Sequence, residues 1–331
     1  MARETRRNAP DAPPAAGRAG RTRPSRAHAV VGRVVSRPRR GTTDPDPDAM
    51  LRAFTARHIR ETAHGPRPLP TGVVPGFRRR FDLVVDDSAG FPTYVFAPAG
   101  RTPTRTVMHL HGGSYVSGLS PFHLLWTSRL ANALDARIVL PDYPLAPVHT
   151  WRDSHSALVE TAARWAAHAS RVGERPVTLS GDSAGGGYAL SIAQGLRDHG
   201  GPQPERLLLH APWVDLTVST PETYEVAKVD PWLDIDEGNV QAAWWAGGDD
   251  LARWELSPVF GDLTGLPRAL QLYGTRDLLM PGCRLLQKRA DAAGWNLTSI
   301  EEPDLLHVYS IFPPFVPEAR RAFTQVLDFL A

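Results

Sequence analysis

Leu179-Ser180-Gly181-Asp182-Ser183-Ala184-Gly185-Gly186 is the stretch whose reading decides the fold. An apolar run containing Val177 and Leu179 leads into it, a helical pattern follows, and small residues flank Ser183 on both sides. This is the composition of a nucleophile elbow, a sharp strand-to-helix turn that lifts a serine hydroxyl above a sheet edge. Glycines are needed there because side chains would collide across the bend. An ordinary glycine-rich βα turn has the same local composition, so the reading depends on partners elsewhere in the chain.

Around the elbow, short apolar runs alternate with helical segments, the signature of βαβ units and a parallel sheet. The runs are Val107–Leu110, Ile138–Leu140, Val177–Leu179, Leu207–Leu209, Ala269–Tyr273 and Leu297–Ile300. Helices are predicted near 121–134, 153–170, 184–198, 281–293 and 316–330. Upstream, Phe81–Val85 and Thr93–Phe96 read as an antiparallel edge hairpin, and Met50, Leu51, Phe54 and Ile59 fall at helical spacing within 49–62. One interval breaks the rhythm. From Val214 to Glu255 the spacing is too long for a simple crossover, so it reads as an inserted cap with a helix near 237–246.

Composition sets the limits. With 331 residues, 42% of them hydrophobic, the chain can bury a large core, which excludes disorder throughout. The net charge of +2 is unevenly placed: residues 1–40 hold eleven Arg against Glu4 and Asp11, leaving the body mildly acidic. Residues 1–45 therefore read as a disordered basic leader and 46–331 as the folded domain, with a cap from about 46–75 and 214–255. The leader lacks interleaved aromatics, so no nucleic-acid partner is expected, and no apolar segment follows Arg6-Arg7 to make an export signal. No run is long enough to span a membrane. Cys283 is the only cysteine, which excludes an intrachain disulfide and suits a reducing cytoplasm.

The chemistry comes from three further places. Val107–Leu110 runs into His111-Gly112-Gly113-Ser114-Tyr115, and a strand ending in His-Gly-Gly leaves backbone N–H groups free for the developing oxyanion of acyl transfer. Gly112, Gly113 and Ser114, with Ala184 after the serine, form the candidate oxyanion hole, and the N–H groups of Gly113, Ser114 and Ala184 are the preferred donors. A serine hydroxyl also needs a base and a carboxylate to orient it. His307 follows the last predicted strand and Asp277 follows the one before, so both fall at the sheet's carboxyl edge with Ser183. Asp304 and Glu301 are the alternatives for the acid. His109 and His111 share a strand face, but no further ligands follow at metal-binding spacing, so no metal is expected. His111 reads instead as a hydrogen-bonding anchor for the glycine loop.

The order Ser183, Asp277, His307, together with the glycine loop, resembles the hormone-sensitive-lipase family of α/β-hydrolases, in its bacterial carboxylesterase branch with a G-D-S-A-G elbow. The matching residues are His111–Gly113, Asp142-Tyr143-Pro144-Leu145-Ala146-Pro147, Gly181–Gly186, Ser257–Phe260, Gly274–Leu279 and His307, spread over roughly 50–331. The resemblance implies an α/β-hydrolase fold: an eight-stranded, mostly parallel sheet with helices on both faces and a helical cap. It implies cofactor-free ester hydrolysis through an acyl-enzyme, with Ser183 attacking, His307 shuttling the proton, Asp277 orienting His307, and Asp142 and Tyr143 as structural supports. Three positions depart from the family pattern: Ser114 replaces a third glycine, Pro144 and Val148 stand where Arg and Glu are frequent, and Gly187-Tyr188 replaces a frequent Asn-Leu.

Phe122, Tyr115, Trp213, Tyr224, Trp232, Trp244 and Trp245 are expected to crowd the cap and its mouth. Aromatic walls favour a small apolar ester or lactone over a charged polymer. Two other readings keep the fold: an acyltransferase or tailoring enzyme, and a non-catalytic pseudo-hydrolase that binds a small ligand. The oligomeric state, a homodimer included, is left open by these residues.

Overall fold

The structure, a computed structural model, describes residues 23–36 and 46–331. Eight strands form one sheet: β1 (Phe81–Asp86), β2 (Thr93–Pro98), β3 (Arg105–Leu110), β4 (Ala136–Pro141), β5 (Arg175–Asp182), β6 (Arg206–His210), β7 (Ala269–Arg276) and β8 (Leu297–Leu306). Their spatial order is β1-β2-β4-β3-β5-β6-β7-β8. β1 and β2 pair antiparallel at one edge, β2 runs antiparallel to β4, and every other pairing is parallel.

The helices are α1 (Arg26–Val35), α2 (Pro47–Thr62), α3 (Phe77–Arg80), α4 (Pro121–Leu134), α5 (His155–Val172), α6 (Ala184–Asp198), α7 (Glu222–Ala227), α8 (Ile235–Ala246), α9 (Met280–Ala293) and α10 (Pro317–Leu330). Successive side chains of the central strands feed opposite faces of the sheet. Val139, Leu207 and Leu209 join a core with Leu158 of α5 and Leu190 of α6. Ile138, Leu140 and Leu208 join another with Leu130 of α4 and Val326 of α10. Helices thus cover both faces, as the continuous apolar strands require.

One expectation fails in the leader. Residues 26–35 form α1, capped by Ser25, whose side chain accepts from the His28 N–H. Ser25 is itself held from across the chain: its N–H donates to Glu318 Oε1 at 2.6 Å and its hydroxyl to Glu318 Oε2 at 2.8 Å. His28 and Val31 are buried, and the Leu306 N–H donates to His28 Nε2 at 3.3 Å. Contacts distant in sequence, rather than helical periodicity, hold this helix. The rest of the expected leader, 1–22 and 37–45, lies outside the described residues.

The two segments expected to form a cap both reach the carboxyl edge of the sheet. α2 holds no fully buried residue and meets the body through Phe54 and Arg57, which line the cavity there. The interval 214–255 holds α8 as expected and also the short α7, with Trp232 and Leu233 between them on the same cavity. Among the described residues no helix is long and apolar enough to cross a membrane.

Candidate active site

Ser183 sits between β5 and α6 with φ 53° and ψ −126°, a conformation that L-residues adopt only under constraint. The surrounding backbone supplies that constraint. The Ser183 N–H donates to the His210 carbonyl (2.8 Å), and its own carbonyl accepts from Gly186 (2.9 Å), Gly187 (3.2 Å) and Trp213 (2.8 Å). Gly185 has to be glycine, because a Cβ there would lie 2.1 Å from the Leu110 carbonyl oxygen. Ser114 (φ 52°), Tyr115 (φ 61°) and Val308 (φ 48°) share the left-handed region with Ser183, so four constrained backbones gather at one sheet edge.

His307 follows the last residue of β8 and Asp277 the last residue of β7. Pairing of these strands brings the two loops together across 30 residues of sequence: His307 Nδ1 lies 2.9 Å from Asp277 Oδ2. The other ring nitrogen, Nε2, lies 2.9 Å from Ser183 Oγ. The Asp277 carboxylate is fully buried, and its Oδ1 accepts the Leu279 N–H at 2.9 Å, so it caps the turn into α9 while its other oxygen holds the imidazole. Burial disfavours the charged imidazolium, yet the Asp277 charge and hydrogen bond outweigh it and hold His307 above the ordinary imidazole range. Of the alternative acids, Glu301 is engaged by Arg284 (2.6 Å) and Tyr273 (3.1 Å), and Asp304 is exposed.

The glycine loop is bolted to the elbow by Asp182. This carboxylate is buried and accepts from the Gly112 N–H (3.1 Å), His109 Nε2 (3.2 Å) and His123 Nε2 (3.3 Å). Nδ1 of His123 accepts the Ser120 N–H at 2.9 Å, so its ring proton sits on Nε2, facing Asp182. Burial alone would raise the Asp182 carboxyl, but the two imidazoles hold it well below the usual carboxylate range. The Gly112 N–H is therefore committed to Asp182, which removes it from the expected oxyanion donors and leaves Gly113, Ser114 and Ala184. Ala184 opens α6, and first-turn N–H groups have no partner within their own helix.

The supports fall where expected. The His111 ring stacks on Tyr143 (centroids 4.3 Å apart, 11°), and the Tyr143 hydroxyl donates to the His111 carbonyl at 2.7 Å. His111 Nδ1 lies 2.8 Å from the Gly112 carbonyl, so this residue does anchor the loop. Asp142, with Pro144 and Val148 in place of the frequent charged neighbours, takes its ion pair from Arg67 in the connection after α2 (3.3 Å). Among the described residues no cluster of three or more His, Cys, Asp or Glu converges as a metal site.

A cavity of about 360 Å³ opens over Ser183 and His307, walled by Phe54, Phe122, Trp213, Trp232, Ile311 and Phe312. Four expected wall residues, Tyr115, Tyr224, Trp244 and the fully buried Trp245, are absent from it. Tyr115 is buried beneath the loop, where its hydroxyl donates to the Ala184 carbonyl (2.9 Å) and its ring stacks on Trp245 (4.5 Å, 3°). Trp244 packs edge-on against Phe54 (5.7 Å, 65°), and Tyr224 is 55% exposed. Aromatic content marked the region, but only backbone geometry sets which rings face inward. Asp230, a buried carboxylate bonded to the Leu278 N–H at 2.7 Å, was not singled out by the sequence; its only signal there is an Asp-Pro step inside the aromatic interval.

Comparison with known proteins bears on the same site. A family model described as alpha/beta hydrolase fold matches residues 107–311, from β3 through the His307 loop. An acetyl-hydrolase of Streptomyces hygroscopicus is 33% identical over 78% of this chain and 83% of its own length. The chain belongs to the hormone-sensitive-lipase family of α/β-hydrolases. Other members fit the same picture: the carboxylesterase NlhH of Mycobacterium tuberculosis is 32% identical over 72% of this chain and 76% of its own length. The crystal structure of an esterase from the bacterial hormone-sensitive lipase family superposes with TM-score 0.73 at 27% identity, covering 92% of this chain and 96% of that one.

Proposed function

We propose that this family member is a serine carboxylesterase acting on small, largely apolar esters, acetyl esters or lactones among them. The observation that carries the reading is the unbroken hydrogen-bonded line from Ser183 Oγ through His307 to Asp277, with both distances at 2.9 Å. Such a line suits general-base activation of the hydroxyl. Ser183 Oγ attacks the ester carbonyl carbon as His307 Nε2 takes its proton, and the carbonyl electrons collect on oxygen. The N–H groups of Gly113, Ser114 and Ala184 receive that oxyanion. Collapse expels the alcohol, which leaves with the proton from His307, and water then repeats the cycle on the acyl-enzyme. Asp277 fixes the tautomer and stabilises the imidazolium.

Substrate size follows from the cavity, whose 360 Å³ sits near the lower end of the roughly 300–1,000 Å³ common for ligand pockets. Its aromatic walls favour an apolar acyl or alcohol group, and the acetyl-hydrolase among the relatives supports a short acyl chain. The lone Cys283, buried and unpaired, supports a cytoplasmic setting for this activity. The test is covalent labelling with a fluorophosphonate. Wild type gains one adduct that maps to Ser183, and failure to label a folded sample would remove the proposal.

A further inference from the structure

Asp277 serves the triad, but a second buried carboxylate beside it has no part in the mechanism above. Asp230 lies between α7 and α8 in the segment covering the cavity and is 3% exposed. Its Oδ2 accepts the Leu278 N–H at 2.7 Å, across 48 residues of sequence, and Leu278 directly follows Asp277. Its Oδ1 accepts the N–H groups of Trp232 (2.8 Å) and Leu233 (3.1 Å). Trp232 in turn sets its ring edge-on to the His307 imidazole, centroids 5.5 Å apart at 76°. One side chain thus grips both walls that confine His307.

We propose that Asp230 is a positioning residue of the catalytic centre: it fastens the covering segment to the Asp277 loop and adds a further negative charge near the His307 ring. This rests on the triad reading above. Asp230 and Asp277 take consecutive N–H groups of one turn, Leu278 and Leu279, so the turn is held from both sides and Asp277 Oδ2 is aimed at His307 Nδ1. Three N–H donors converge on Asp230, the pattern that favours a carboxylate over a carboxylic acid. Burial and then the neighbouring Asp277 push the Asp230 carboxyl upward, and the bonds from Trp232, Leu278 and Leu233 oppose that. The charges facing His307 are Asp277, Asp230 and Asp182, all acidic. Arg276, the nearby cation, points to the Val229 carbonyl.

The test compares kcat/KM against pH for wild type, Asp230→Asn and Asp230→Ser, using p-nitrophenyl acetate and thermal melting as a check of folding. Both variants delete the charge; serine keeps a small acceptor for the Trp232 turn and disturbs folding less. Both should lose about tenfold or more in kcat, the scale set by misorienting a catalytic base. The acidic limb should move to lower pH by roughly one unit, because losing one nearby charge lets His307 give up its proton more easily. A folded variant whose limb stays at the wild-type position overturns the charge role, and one with wild-type kcat overturns the positioning role. Parallel fluorophosphonate labelling of Ser183 in wild type separates these outcomes from failure of the triad reading itself.

Discussion

Asp182 and Gly112 lie 70 residues apart and meet through one hydrogen bond of 3.1 Å, from the glycine N–H to the carboxylate. In the proposed mechanism that bond joins the nucleophile's own turn to the loop that supplies oxyanion donors. The contact is close: a Cβ on Gly112 would lie 2.3 Å from Asp182 Oδ2 and 3.0 Å from the Ser183 Cβ. Asp182→Asn must turn an NH₂ toward either the Gly112 N–H and His109 or the His123 N–H, leaving a buried donor facing another. We expect a loss of about 1–3 kcal/mol in stability and a fall in kcat larger than any rise in KM. Chemical denaturation and steady-state kinetics check both; an unchanged kcat would uncouple the loop from the elbow.

In the proposed mechanism Asp277 carries the orienting charge. Asp277→Asn should lower turnover by up to about 10⁴ with little change in fold, by analogy with the Ser-His-Asp protease triad. Asp304→Asn and Glu301→Gln should stay within a few-fold of wild type, since Glu301 is occupied by Arg284 and Tyr273. A large loss in either control, with Asp277→Asn active, would move the acid.

Ser114 occupies φ 52° where the family usually has glycine. A non-glycine residue in the left-handed region costs of order 1 kcal/mol. Ser114→Gly should therefore raise the unfolding free energy by about that amount less the entropy of the added glycine freedom, and leave kcat within a few-fold, because the backbone N–H remains. Loss of hundredfold activity would instead assign the serine hydroxyl a direct part in the chemistry.

Three buried histidines set a limit in acid. Burial lowers His111 and His210 to about 3 and His155 to about 4, each below the ordinary value of 6.5. The unfolded chain then binds protons that the folded one refuses, so stability is present above 6.5 and is lost as pH falls from there toward 4. Each ring contributes a slope of up to about 1.4 kcal/mol per pH unit. Denaturant midpoints measured between pH 7 and 4.5 should fall steeply, and a flat profile would mean that these rings have partners able to take the charge.

Much of this architecture was legible in the residues, for physical reasons that differ by element. The strands could be read because their apolar runs are short and bounded by turns, and the triad because each member follows a strand end, which a parallel sheet brings to one edge. α1 was not legible: eleven arginines suggest solvation, and its anchors, Glu318 and Leu306, are nearly the full chain away. The placing of Tyr115 and Trp244 is not legible in the sequence, because aromatic content does not say whether a ring in a loop or on a covering helix faces the cavity or the packing behind it. Asp230 was missed because an Asp-Pro step looks like a turn former, which it also is.

The most direct measurement is hydrolysis of short p-nitrophenyl esters by wild type and Ser183→Ala, side by side at matched concentration. The account predicts steady turnover by wild type and a fall by a factor of about 10⁶ or to background in the variant. Equal rates from two folded samples would contradict it.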